Sequence, residues 1–378
     1  MDRLGKQMRI LYFTRSDSVH DQRFMQALID GGHEGYVLRL YPGDYPTPEG
    51  VQALEWSGLK NEITLTDLPM LVRGFRNVLD RVKPDLVHAG PLHDVAYIAM
   101  LSGFQPLVAM SWGFDLMKDI DTNLINLINT RLVFERANRL IVDAQCSADR
   151  AFALGYPTEK ICRFPWGVDL EHFEPERVKA LGQVWREQQG WQDKHVLLCL
   201  RSWEPNYGVD VLAKAFVRAA HTDPDLRLIL LNDGSQSKII RRILHDGGIL
   251  PKVFFGGRVP NAELVKYFGA ADVYVSPSHV DGSSVSLMEA LACGLPSIVS
   301  DIPANKEWVW GGLNGWVFPD DDIKALTQSI LDSTQTDLTP LGLEARVIAA
   351  RKADWRKNVQ TLYQCYDEVC AGQKGPQK

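Results

Sequence analysis

Short apolar runs bounded by turn residues recur at near-regular intervals along the first half of the chain: MRILYF (8–13), GYVLRLY (35–41), DLVHAG (85–90), PLVAMSW (106–112), RLIVDA (139–144) and ICRFP (161–165). Apolar positions at helical spacing separate them, so strands alternate with helices as in a parallel sheet covered on both faces. The pattern restarts with HVLLCL (195–200), LRLILLN (226–232), VFFGG (253–257), DVYVSPS (272–278) and LPSIVSD (295–301). The segment between the two sets is polar and without strand character. The expected division is therefore a first α/β domain over 1–170, a linker over 171–193 and a second α/β domain over 194–350.

Two more segments have helical periodicity. In residues 354–369, Trp355, Val359, Leu362 and Tyr366 share one face, which predicts a last amphipathic helix within 351–370, followed by a disordered polar tail over 371–378. In residues 68–83, Leu68, Leu71, Val72, Phe75, Val78, Leu79 and Val82 form an apolar stripe, with Arg73, Arg76, Arg81 and Lys83 elsewhere on the helix. Such a helix can lie on an anionic membrane. Its place in the strand alternation favours packing on the sheet, with peripheral membrane contact left open.

At 378 residues the chain exceeds a single ordinary core, in agreement with two domains. Hydrophobic residues at 45% and charged residues at 23% describe a globular protein, and a net charge of -6 gives no general attraction for nucleic acid or anionic lipid. The six cysteines fall singly, without a C-x-x-C pair, which favours reduced thiols over disulfides or a zinc site. No stretch approaches the roughly 18 apolar residues of a membrane span, and the first residues do not read as a signal peptide. A cytoplasmic location is expected.

Candidate chemistry concentrates in SPSHVDGSSVSLMEALACGLPSIVSD (276–301). A strand delivers the chain to Asp281 and Gly282. A helix then opens near Ser283 and Ser284, either of which can cap it, and closes at Gly294 with Pro296 beyond. A helix start at the carboxyl end of a strand, with small residues around it, suits an anionic group such as a diphosphate. Taken alone, Asp281 and Glu289 would read as solvated carboxylates of a capped helix.

Their frame changes that reading. The segment resembles the signature of the family 4 glycosyltransferases: a Glu, seven residues, then a second Glu, inside a PS…EG…EA.A.G.P pattern. Asp281 stands for the first Glu and Glu289 for the second, while Pro277, Ser278, Gly282, Ala290, Ala292, Gly294 and Pro296 keep the frame. Further segments follow in family order over roughly residues 8 to 370, among them GGHEGYVLRL, KPDLVHAG, GYPTEKICRFPWGVDLEHFEP, LRSWEPNYGVDVLAKAF and VFFGGRVPNAELVKYFGAADVYVSPS.

The resemblance implies the GT-B fold: two Rossmann-like, doubly wound α/β domains facing a central cleft, with the C-terminal helix crossing back to the first. It implies a retaining glycosyltransferase that moves a sugar from a nucleotide diphosphate donor to a saccharide, lipid-linked or small-molecule acceptor, with no metal or other cofactor and no nucleic-acid partner. A non-catalytic nucleotide-sugar-binding protein or a sugar-nucleotide epimerase of the same fold would share these features.

Carried over residue by residue, the resemblance makes Arg201 the arginine on the donor diphosphate and Asp281 the carboxylate near the reacting sugar carbon. Glu289 becomes the acceptor for both ribose hydroxyls, with Gly282, Ser283, Ser284 and Val285 at the helix start beside the donor. Arg258, in the loop that meets the base, completes that side. Three positions depart from the family: Asp281 is one methylene shorter than Glu, Tyr207 stands where a lysine partners the arginine, and Trp112 replaces a histidine that touches the donor sugar. Gly113 and Asp115 remain beside Trp112, and His20 offers polar chemistry in the first loop of the acceptor-binding domain.

Overall fold

The computed structural model describes residues 7–16, 18–43, 46–58 and 64–372. The chain divides into two units, one formed by residues 1–164 with 359–378 and the other by residues 165–358.

The first unit holds seven parallel strands in the order β3-β2-β1-β4-β5-β6-β7. They are β1 (Arg9–Thr14), β2 (Glu34–Arg39), β3 (Val51–Ala53), β4 (Leu86–Gly90), β5 (Leu107–Met110), β6 (Arg139–Val142) and β7 (Ile161–Arg163). Every residue of β4 and β5 is buried, as expected when helices cover both faces of a parallel sheet. On one face Leu11, Phe13, Val87, Ala89 and Leu107 pack against Leu71, Phe75, Val78 and Val82 of the helix Leu68–Val82. The apolar stripe of that helix is therefore core, and Arg76 and Arg81 donate to the backbone carbonyls of Leu101, Ser102 and Glu55.

On the other face Tyr12 and His88 meet Phe24 and Tyr366, their ring centroids 5.1 to 6.2 Å apart. Tyr366 belongs to the last helix, Trp355–Ala371, which buries Val359, Leu362, Cys365, Tyr366 and Val369. The chain returns to the first unit within this helix, where the Tyr366 hydroxyl lies 2.7 Å from His88 Nδ1 and the Tyr363 hydroxyl donates to the Ala27 carbonyl. Burial lowers the pKa of His88 to about 3, so the imidazole is neutral. Residues 373–378, most of the expected disordered tail, lie outside the described residues.

The second unit holds six parallel strands in the order β10-β9-β8-β11-β12-β13: β8 (His195–Cys199), β9 (Leu226–Leu231), β10 (Val253–Gly257), β11 (Val273–Ser276), β12 (Ser297–Ser300) and β13 (Gly315–Phe318). The segment 171–193, read from sequence as a linker, is mostly the helix Pro175–Gln189 and is part of this unit. It packs on the helix Asn261–Ala270 at backbone distance. A Cβ on Gly182 would lie 1.9 Å from the Gly269 carbonyl carbon, and one on Gly269 would lie 1.8 Å from the Val178 oxygen. Arg186 fixes the same helix to Asp272 and to the Ala270 carbonyl. Its polarity comes from its solvent side, while Val178, Gly182 and Trp185 are buried.

Candidate active site

In a parallel sheet, the side chains that meet a ligand are delivered at the carboxyl ends of the strands. Arg201 follows β8 by two residues and Asp281 follows β11 by five. The intervening turn leads into the helix Val285–Ala292, whose N-cap is Ser284; its hydroxyl accepts from the Leu287 N–H at 3.4 Å. The helix ends at Cys293, and Gly294 follows at φ +72°.

These pieces converge on one guanidinium. Arg201 Nη2 lies 2.7 Å from Asp281 Oδ2, with side-chain exposures of only 10% and 16%. Arg201 Nη1 donates to Ser284 Oγ at 2.6 Å and to Ser286 Oγ at 3.4 Å. Ser286 is in turn tied to the buried Tyr274 hydroxyl at 2.7 Å. The Tyr207 ring packs against the group, its centroid 4.2 Å from Cζ. Among the described residues, Arg201 Nε has no hydrogen-bond partner.

Burial pushes the Asp281 carboxyl pKa up, and the Arg201 charge pulls it only part of the way back. For Arg201, burial disfavours the charge, but Asp281 together with Tyr207, Tyr274 and Cys199 outweighs it, so the guanidinium is held above the ordinary arginine value. The group is a fixed cation.

Glu289 lies further along the same helix, buried, with Oε1 accepting from the Asn261 side chain at 3.3 Å. Gly282, Ser283, Ser284 and Val285 are all buried at the helix start. Arg258 follows β10, past Gly257 at φ +64°, and its side chain is exposed at the same sheet edge. The structure thus brings Arg201, Tyr207, Asp281 and Ser284 into direct contact and sets Glu289 deeper in the helix. Ser286, Tyr274 and Asn261 were not singled out from sequence. The serine spacing in SSVS was the one signal available, since Tyr274 and Asn261 reach the site only through the fold.

In the first unit the His20 and Trp112 rings meet with centroids 5.9 Å apart, beyond the carboxyl ends of β1 and β5. Gly113 sits at φ +82° and its N–H donates to Ser111 Oγ at 3.1 Å. Asp115 differs from its expected place on the ligand side. Fully buried, it accepts from Ser111 Oγ and from the N–H groups of Leu92, Trp112 and Leu116, so its carboxylate organises the loop. Burial raises its pKa, and the bond from Ser111 offsets this in part. Sequence reasoning missed the cluster beside it, in which Arg15 Nε lies 2.6 Å from Asp94 Oδ2 and Arg15 Nη2 lies 3.2 Å from His93 Nε2. Residues nearly eighty positions apart leave no local signal.

A cavity of about 880 Å³ in the second unit, lined by Arg186, Asp272, Cys293, Gly294 and Arg346 among others, lies toward the amino-terminal ends of β11 and β12 and contains none of these site residues. Among the described residues no group of three or more His, Cys, Asp or Glu side chains has the arrangement to hold a metal ion, and no helix is long and apolar enough to cross a membrane.

Comparison with known proteins supports the same reading. The Glycosyl transferases group 1 family matches residues 183–369, and the Glycosyl transferase 4-like family matches residues 9–144. A GDP-mannose-dependent alpha-(1-6)-phosphatidylinositol monomannoside mannosyltransferase of Mycolicibacterium smegmatis is 25% identical over 279 residues, covering 71% of this chain and 72% of that protein. A D-inositol 3-phosphate glycosyltransferase of Paenarthrobacter aurescens is 23% identical over 352 residues, covering 85% and 84%. The crystal structure of Anabaena HepE in complex with UDP-glucose superposes with a TM-score of 0.78 at 18% identity, over 96% of this chain and all of that one. With both sheets doubly wound and both halves matched, the chain belongs to the family 4 glycosyltransferases of the GT-B fold.

Proposed function

We propose that this glycosyltransferase transfers a sugar with retention at the anomeric carbon, from a nucleoside diphosphate donor held in its second unit to a saccharide or lipid-linked acceptor recognised by its first. The observation that carries the donor half is the convergence of Arg201, Asp281 and the Ser284-capped helix at the carboxyl ends of β8 and β11. A permanently charged guanidinium beside a helix N-terminus suits the developing charge of a departing diphosphate. In this reading Glu289 accepts the ribose hydroxyls. Asp281 faces the transferred sugar, where its charge gains most as the anomeric carbon becomes positive. Metal independence is part of the proposal, with Arg201 and the helix dipole meeting the diphosphate charge.

The relatives' names include both GDP-mannose and UDP-glucose, so the base is best read from binding. Thermal stabilisation of the protein by UDP-, GDP- and ADP-sugars tests donor use, because a ligand at about 100 times its Kd stabilises by roughly 2.7 kcal/mol. A donor that stabilises, and then yields a product whose anomeric configuration by NMR equals its own with and without chelator, supports the reading. An inverted product overturns retention, and indifference to all three sugar nucleotides overturns donor binding.

A further inference from the structure

The resemblance places a lysine where Tyr207 stands, so this site presents Arg201 without the usual second cation at that position. Tyr207 instead packs its ring against the Arg201 guanidinium, the ring centroid 4.2 Å from Cζ. The nitrogens of that group are differently engaged: Nη1 is committed to Ser284 and Ser286, Nη2 is paired with Asp281, and Nε, without a partner among the described residues, is closed to solvent. This ring contact restricts where the fork points while Nη1 and Nη2 keep their oxygen partners.

The loop that carries the ring is itself constrained. Residues Pro205–Tyr207 form a single 3-10 turn, and the Tyr207 N–H donates to the Glu204 carbonyl at 3.0 Å. Asn206 accepts from the His279 N–H at 2.9 Å, which ties the turn to the segment after β11. Gly208 follows at φ +59°, where a Cβ would stand 2.1 Å from the Pro277 oxygen. Only glycine fits that approach.

We infer that Tyr207 is a positioning residue for the donor diphosphate: its ring, packed on Arg201, holds the guanidinium so that a phosphate displacing Asp281 meets Nη2 already oriented, in place of a second positive charge. The inference rests on the proposed donor site. Asp281 holds Nη2 in the structure, so an arriving phosphate exchanges with a carboxylate at a guanidinium that the ring keeps from swinging away.

The test uses the full-length protein and whichever of UDP, GDP and ADP it binds, together with the matching nucleoside. Tyr207→Phe should keep diphosphate affinity within about twofold, whereas Tyr207→Leu should weaken it by about 5- to 20-fold with nucleoside affinity and melting temperature nearly unchanged. Tyr207→Lys should also weaken it, because a cation cannot stack on Arg201. Tighter binding by Tyr207→Lys overturns the inference in favour of a charge deficit, and equal losses in the Phe and Leu variants overturn it in favour of a hydroxyl contact. If Tyr207→Leu loses nucleoside and diphosphate alike, or neither, the ring has no positioning role. Failure of the wild type to bind any of the three diphosphates removes the donor site itself, which separates that outcome from failure of Tyr207 alone.

Discussion

Arg201 and Asp281 form an ion pair, Nη2 to Oδ2 at 2.7 Å, although they are 80 positions apart in the chain and both side chains are nearly shut off from water. The site therefore holds an internal anion on the group that the donor diphosphate would use. Removing that charge should separate binding from turnover. In Asp281→Asn, free nucleoside diphosphate is expected to bind a few-fold more tightly, because nothing ionised competes for Arg201. Turnover is expected to fall by up to about 100-fold, roughly 2.7 kcal/mol of barrier, because in the proposed site the charge facing the sugar is gone. Calorimetry on the diphosphate and initial rates with the sugar nucleotide check both halves.

Replacing the fork itself should act on binding first. Arg201→Ala is expected to weaken nucleoside diphosphate by about 1.5 to 3 kcal/mol, the range for hydrogen bonds to a charged partner. The same substitution leaves Asp281 buried without its cation, so a lowered melting temperature should accompany the lost affinity. Unchanged affinity, measured calorimetrically, would place the diphosphate elsewhere.

In the proposed donor site Glu289 answers to a different part of the ligand. Its carboxylate is buried in the helix and accepts from Asn261, so Glu289→Gln preserves the shape and removes the charge. Binding of the free nucleoside, its diphosphate and the sugar nucleotide should all weaken by about tenfold, because the ribose is common to the three. A loss confined to the sugar nucleotide in titrations of all three would assign Glu289 to the sugar.

His88 gives the first unit a pH signature. Its pKa lies at about 3 in the folded chain against 6.5 for an ordinary histidine. Between those values the unfolded chain binds one more proton than the folded one, so this group's contribution is fully present above pH 6.5 and is lost as the pH falls toward 3. The slope it adds is at most about 1.4 kcal/mol per pH unit. Denaturant titrations of wild type and His88→Gln between pH 7 and pH 4 should show a shallower acid loss in the variant, even though the variant is less stable at neutral pH for want of the Tyr366 hydrogen bond.

Much of the architecture was legible because buried parallel strands announce themselves. The apolar runs at 8–13, 85–90, 106–112, 195–200 and 272–278 each contain a strand whose neighbours lie on both sides. The edge strands β3 and β13, Val51–Ala53 and Gly315–Phe318, left no such mark, since at least half of their residues are half-buried or exposed and need not form a continuous apolar run. The helix Pro175–Gln189 was read as linker for another reason. Its burial depends on Gly182 meeting Gly269, a contact that a hydrophobic pattern does not register. At the site, the spacing of Asp281 and Glu289 placed both in one turn-and-helix segment. It gave no hint that Asp281 pairs with Arg201, or that the Asp115 carboxylate is consumed by its own loop. Such partners are set by tertiary folding, which brings together residues that neither propensity nor motif relates.

The discontinuity of the first unit bears on how the protein is made. Strands β1 and β4 are synthesised early, but the face carrying Tyr12 and His88 is covered in part by residues from Val359 onward, which are translated only after the whole of the second unit. Domains usually fold in the order in which they are translated. In this chain the uninterrupted unit, residues 165–358, is the one able to close first. The earlier-made sheet lacks the cover of Leu362 and Tyr366 on that face until the chain is nearly complete.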